Sequence, residues 1–184
     1  MEHRALIIVD MLNDFITPGG ALYFESGRHI IPFVKSELEK ARVQKDLIVF
    51  LCDNHKKNDL EFRRFPEHCV TGTWGANIVG ELWPDTQAWR SGGSFEYIIN
   101  KQRYSGFFNT SLHILMKHLS VPGGATEVEV VGVCTSICVM DTVGGLANRD
   151  YGIVVPRLGV ADFDNHAHEF SLKRMEKLYG AKIV

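Results

Sequence analysis

The chain lacks an excess of charge of either sign. Lysine and arginine number 20 against 22 aspartates and glutamates, a net charge of −2. That balance gives no electrostatic reason to expect nucleic acid or an anionic membrane as partner. Long apolar runs are missing too, and none approaches the roughly 18 residues a membrane helix needs. The opening MEHRALIIVDM does not read as a secretory leader, because its apolar stretch is short and Asp10 interrupts it. A cytoplasmic protein is therefore expected. Cysteine is scarce: Cys52, Cys69, Cys134 and Cys138 are all there are. In a cytosolic chain such thiols are more in keeping with reduced residues than with a disulfide framework. There is no internal repeat, low-complexity tract or linker. A chain of 184 residues with 45% hydrophobic residues fits one domain, 1–184, with a full core.

What is present is an alternation of short strand-like and helix-like segments. ALIIVD (5–10), LIVFLCD (47–53), FEYIIN (95–100), VEVVGV (128–133) and GIVVP (152–156) are apolar runs of strand length. Residues 28–43 carry Ile31, Val34, Leu38 and Ala41 at helical spacing. SLHILMKHL (111–119), the segment around 136–149 and residues 165–179 read as further helices. In the last of these, Phe170, Leu172, Met175 and Leu178 form the apolar face. A long polar stretch, 54–94, holds histidines, prolines and paired glycines. Strands buried on both faces and alternating with helices predict a mainly parallel sheet with helices on each side. Ligand sites in such sheets lie beyond the carboxyl ends of the strands. Asp10, Asp53, Lys101 and Cys134–Cys138 fall at those ends.

Cys138 lies in the first turn of the segment after VEVVGV. Backbone N–H groups and the dipole there favour a thiolate. Such a nucleophile needs a base, since a thiol with pKa about 8.5 is mostly protonated at neutral pH. Asp10 is placed to serve, although it also reads as a helix cap, and Asp14 as a cap or loop anchor. Lys101 could steady negative charge or be a solvated strand end. Cys134 and Cys138 could aim their N–H groups at one spot as an oxyanion hole. Cys138 also fits a buried small hydrophobe, the reading given to Cys52 and Cys69. Asp53 and His55 are two apart and can share one side of an extended backbone. With Glu61 and His68 they form a mixed N/O set that suits zinc, iron or manganese, or simply a polar loop. His3, His29, His113, His118, His166 and His168 read as surface or helix residues.

Together these residues resemble the isochorismatase-like cysteine hydrolases, and within them the nicotinamidase/pyrazinamidase branch. ALIIVDMLNDF (5–15), INKQRYSGFFNTSL (99–112), VVGVCTSICVMDTV (130–143) and FPEHCVTGTWGA (65–76) carry the resemblance, which runs nearly end to end. It implies an α/β fold, doubly wound, in three Rossmann-like layers. It implies a catalytic triad of Asp10, Lys101 and Cys138, with Cys134 and Cys138 at the oxyanion hole. The implied metal ligands are Asp53, His55 and His68. Glu61 matches a glutamate that some members place seven residues before the second histidine. The bound ion would be a divalent metal: zinc, or iron or manganese. Phe15, Phe65, Tyr104 and Phe108 would form the ring pocket, and a cis peptide would fall at Val133–Cys134. The implied substrate is a small amide, the assembly a homo-oligomer, and no nucleic acid or membrane is involved.

The implied reaction is hydrolysis of nicotinamide to nicotinate and ammonia through a thioester. Alternatives are a metal-free relative acting on another small amide or carbamoyl compound, and a non-catalytic binding domain of the same fold. An isochorismate-cleaving member is a weaker option, because those work without the cysteine. The chain departs from the family pattern at three places. Ser136 stands where aspartate is usual, Cys134 where a smaller residue is common, and Gly144–Gly145 lies inside a helix. The Ser136 change bears on how the nucleophile loop is supported.

Overall fold

Runs such as ALIIV are apolar at every position, so they are stable only where both faces of a strand are covered. The computed structural model describes residues 4–85, 95–119 and 127–184. His3, the end of the polar stretch at 86–94 with its paired glycines, and the His118 side chain lie outside the described residues. The strands are β1 (Arg4–Val9), β2 (Leu47–Asp53), β3 (Phe95–Lys101), β4 (Glu127–Val133), β5 (Gly152–Val155), β6 (Val160–Ala161) and β7 (Lys182–Ile183). Among the described residues they form one sheet in the order β3-β2-β1-β4-β5-β7, with β6 paired to β4. Every pairing is parallel. The α/β architecture expected from the alternation is the one observed. Two short strands, β6 and β7, were not among the expected ones.

Helices cover both faces. Even-numbered β1 residues Leu6 and Ile8 share a core with Ile48, Phe50 and the buried stripe of α3 (Ile31–Gln44): Ile31, Val34, Leu38 and Ala41. Odd-numbered Ala5, Ile7 and Val9 share the other core. There they meet α4 (Leu112–Leu119), α5 (Met140–Ala147) and α6 (Asn165–Tyr179) through Leu112, Val143, Leu146, Leu172 and Met175. Each such side chain, fully buried, contributes roughly 1.5–3 kcal/mol. Two short helices, α1 (Asn13–Ile16) and α2 (Glu25–His29), follow β1. The segment expected as one helix over 28–43 is divided at Ile30, where α2 ends and Pro32 opens α3. In α6 the buried line is Ser171, Leu172 and Met175. Phe170 and Leu178, expected on that face, are 61% and 57% exposed. The helix lies over the sheet along the neighbouring stripe.

Two glycines set how close the layers come. Gly132 has φ +114°, and a Cβ there would lie 2.0 Å from the Val9 carbonyl oxygen. Only glycine lets β4 end this close to β1. Gly145 costs helix propensity, but a Cβ would lie 2.4 Å from Phe107 Cδ2. The Phe107 ring fills that notch, with the Arg149 guanidinium 4.2 Å from its centroid. Gly145→Ala is expected to lower unfolding stability in urea by about 1–3 kcal/mol through overpacking. A gain of up to about 1 kcal/mol, which propensity alone would give, would show that the Phe107 contact is not constraining.

Candidate active site

The site forms where strand order reverses in sequence, beyond the carboxyl ends of β1, β2, β3 and β4. Asp53 and Lys101 end neighbouring strands and are register partners. Asp10 follows β1 with φ +50°, an uncommon conformation for a residue with a side chain. It is fastened there by its own N–H, which donates to the Leu51 carbonyl at 2.9 Å. Asp10 Oδ1 accepts the Asp53 N–H at 2.8 Å. Cys138 arrives from the π-helical turn Thr135–Val139, which follows a cis Val133–Cys134 peptide bond and leads into α5.

Lys101 sits at the centre, its side chain wholly buried. Its Nζ lies 2.7 Å from Asp10 Oδ2, 2.5 Å from Asp53 Oδ1 and 3.4 Å from Cys138 Sγ. Asp10, Asp53 and Cys138 cluster closely enough to hold a cation, and the ammonium already contacts all three. Burial disfavours the ammonium, but Asp10 and Asp53 outweigh it and hold Lys101 well above its usual range. Burial also raises Asp10, as does Asp53. Lys101 and a hydrogen bond with Cys138 counter this, leaving Asp10 at about 6. Asp53 feels the same burial, yet the Lys101 charge and hydrogen bond, with the nearby His55 ring, bring it to about 2.

The surroundings of the thiol work against its ionisation. Burial pushes Cys138 well above its usual range; Lys101 pulls it down, and Asp10 and Asp53 push it up again. These surroundings oppose the preference for thiolate that a helix start provides, in keeping with the need for a base to take the proton. Two buried carboxylates beside one ammonium leave no net positive charge to stabilise a third anion.

Asp53 Oδ2 turns away from Lys101 toward His55 Nε2 at 3.7 Å and His68 Nε2 at 3.9 Å. The ligand atoms of these three buried residues lie within 4.8 Å of one another. Each imidazole is oriented from behind: His55 Nδ1 is 3.2 Å from Asp59 Oδ2, and His68 Nδ1 is 2.8 Å from the Pro66 carbonyl. His55 Nε2 is buried without a hydrogen-bond partner, which is costly unless something binds it. Two imidazoles and a carboxylate, with outer hydrogen bonds aiming the free nitrogens, fit a divalent metal such as zinc. Glu61 stands outside the three-residue group. It lines the same cavity, and its Oε2 is likewise buried and lacks a hydrogen bond.

A cavity of about 440 Å³ opens onto both clusters. Asp10, Asp53, Glu61, His68, Cys134 and Cys138 lie on its wall, as do Phe15, Phe65 and Tyr104. Phe108 does not, and is 53% exposed. The turn at Ser105–Phe108 packs Phe107 against Gly145 and leaves Phe108 outward. Ala21, Leu22, Tyr23, Phe24, Ile137 and Phe163 complete the wall. No sequence signal marked them, because loop aromatics carry no period. Phe24 and Phe163 meet edge-on at 6.2 Å. Asp14 anchors loops, as one of its readings had it: its carboxylate accepts the Ala21 N–H at 3.0 Å and the Cys69 N–H at 2.6 Å. Asp162, also unmarked in the sequence, accepts the Ser136 N–H at 2.7 Å.

Asp59 is itself held by Arg103 Nη1 at 2.9 and 3.1 Å. Asp59→Ala is expected to weaken zinc binding by about 10–100-fold, read by competition with a chromophoric chelator. An unchanged affinity would remove His55 from the ligand set.

The isochorismatase domain family matches residues 4–184. The crystal structure of nicotinamidase/pyrazinamidase PncA from Bacillus subtilis is 31% identical with TM-score 0.89, covering 99% of each chain. That of the Pyrococcus horikoshii pyrazinamidase in complex with zinc is 33% identical with TM-score 0.85, covering 99% of this chain and 98% of that one. N-carbamoylsarcosine amidase from Thermoplasma acidophilum is 26% identical with TM-score 0.84, covering 98% and 95%. A zinc-containing relative and the buried Asp53–His55–His68 group together make that cluster the metal-site candidate. No described helix is long and apolar enough to cross a membrane. The extent of the match, the parallel fold and the Asp10–Lys101–Cys138 cluster lead to one conclusion: this chain belongs to the isochorismatase family, as a hydrolase of amidohydrolase fold similar to the nicotinamidases.

Proposed function

We propose that the protein is a metal-dependent nicotinamidase, a cysteine amidohydrolase that converts nicotinamide and water to nicotinate and ammonia. The observation carrying this reading is the Lys101 ammonium, which touches Asp10, Asp53 and Cys138 at once while Asp53 also faces the two histidines. Among the described residues the cavity wall carries no lysine or arginine, and its charged members are acidic. That wall favours a neutral amide over one bearing a carboxylate. Phe15, Phe65 and Tyr104 supply flat apolar surface for an aromatic ring.

The Asp10 carboxylate takes the proton of the Cys138 thiol as Sγ attacks the carboxamide carbon. A base with pKa about 6 is ionised at neutral pH yet able to give the proton back. Backbone N–H groups of Cys134 and Cys138 stabilise the oxyanion. Lys101 keeps Asp10 oriented and limits the growth of negative charge. Asp10 then delivers its proton to the amide nitrogen, the C–N bond breaks, and ammonia leaves a thioester on Cys138. Water activated by Asp10 attacks that thioester and releases nicotinate and the thiol. Asp53, His55 and His68, with Glu61 beside them, would hold the metal, whose chemistry when bound is a Lewis-acid contact for a ring nitrogen.

The test is ammonia release from nicotinamide by purified enzyme. Cys138→Ala is expected to lower the rate by about 10⁴–10⁶-fold with unchanged circular dichroism, and a chelator to suppress it reversibly. Retained turnover in Cys138→Ala would overturn the nucleophile. Inert nicotinamide, with chelator-resistant turnover of another neutral amide, would favour the metal-free amidase reading.

A further inference from the structure

Ser136 brings no carboxylate to the nucleophile turn, so the support for that turn has to come from elsewhere. Its backbone N–H donates to Asp162 Oδ2 at 2.7 Å. Asp162 is 3% exposed, and its other oxygen accepts the Asp164 N–H at 3.1 Å. Hydrogen bonds to a buried carboxylate are stronger than neutral ones and hold geometry more tightly. The sheet explains the placement. β6 pairs with β4 at Gly132–Val160 and Val133–Ala161, so the residue after β6 lands beside the turn after β4.

Two further contacts complete the brace. Thr135 is fully buried, and its Oγ1 lies 2.9 Å from His168 Nδ1 on α6. Burial lowers the His168 pKa, leaving a neutral ring with one acceptor nitrogen. On the opposite side Ser26 Oγ, in α2, donates to the Asp162 carbonyl at 2.8 Å, which ties that helix to the same residue.

We infer that Asp162, supported by His168, is the positioning residue for the nucleophile. It holds the peptide plane of Ser136 and thereby aims Cys138 Sγ and the N–H groups of the turn. Asp162 acts through Cys138, so this inference rests on Cys138 being the nucleophile, which the Cys138→Ala assay tests separately. Misplacement of a reacting group by about 1 Å costs on the order of 10²-fold in rate, whereas Phe15, Phe65 and Tyr104 come to the wall from other segments.

The experiment measures kcat and KM for Asp162→Ala, Asp162→Asn and His168→Ala with nicotinamide. Each kcat is normalised to the iodoacetamide-titratable Cys138. Asp162→Ala is expected to lose about 10–100-fold in normalised kcat, with KM changed less than about threefold. Asp162→Asn keeps one acceptor oxygen and should recover part of that loss. His168→Ala should fall between Asp162→Asn and wild type. A merely structural residue would lower the melting temperature and the titratable fraction but leave normalised kcat within about twofold, and that result overturns the inference. If Asp162→Ala does not fold, the isosteric Asp162→Asn decides on the same criterion. Inactivity of the wild-type enzyme on nicotinamide would count against the substrate, and the comparison then moves to whichever amide it turns over.

Discussion

A single buried ammonium holds this site together. Lys101 has no exposed side-chain surface, and its charge is met by two carboxylates at 2.7 and 2.5 Å. Removing one partner from such a buried pair costs about 3–5 kcal/mol, because the remaining charge is stranded. Asp10 and Asp53 are therefore obligatory companions of Lys101, whatever else they do. The reverse also holds: without Lys101 two adjacent buried carboxylates could not both ionise. With both carboxylates ionised the cluster carries one negative charge in excess, which adds to burial in raising the Cys138 thiol. Burial first, and the neighbouring Asp53 charge second, raise Asp10 to about 6, where it can both take and give a proton.

Asp53 is the hinge of the arrangement. One of its oxygens bonds Lys101 and the other faces His55 and His68. A cation bound by the second oxygen would draw charge from the cluster around the first. In the proposed reaction, substrate orientation and nucleophile activation would thus share one carboxylate. A parallel sheet brings these groups to one edge. Adjacent strand ends put Asp53 opposite Lys101, and Gly132 lets β4 close on β1 so that the Cys138 turn falls beside Asp10.

Much of this was legible in the sequence, for a physical reason. Strand cores reveal themselves by apolar runs, and the polar residue ending each run sits at the sheet's carboxyl edge. Asp10, Asp53 and Lys101 could be found that way, as could the buried stripe of α3. What could not be read depends on contacts between distant segments. The Asp162–Ser136 bond spans 26 positions and exists only because β6 pairs with β4. Phe24 and Phe163 join one wall from separate loops. Phe108 was expected in the pocket, but Gly145 captures its neighbour Phe107 and turns Phe108 outward. The sequence could not show how strongly burial and the two carboxylates oppose ionisation of Cys138.

The central claim is that Cys138 carries the acyl group of the substrate. Its most direct test is mass spectrometry of the Cys138-containing peptide from enzyme quenched in acid during the first turnovers of nicotinamide. The account predicts a nicotinoyl thioester on Cys138 that rises and then decays as nicotinate appears. Turnover with Cys138 unmodified throughout, or with the acyl group on Cys134, would contradict it.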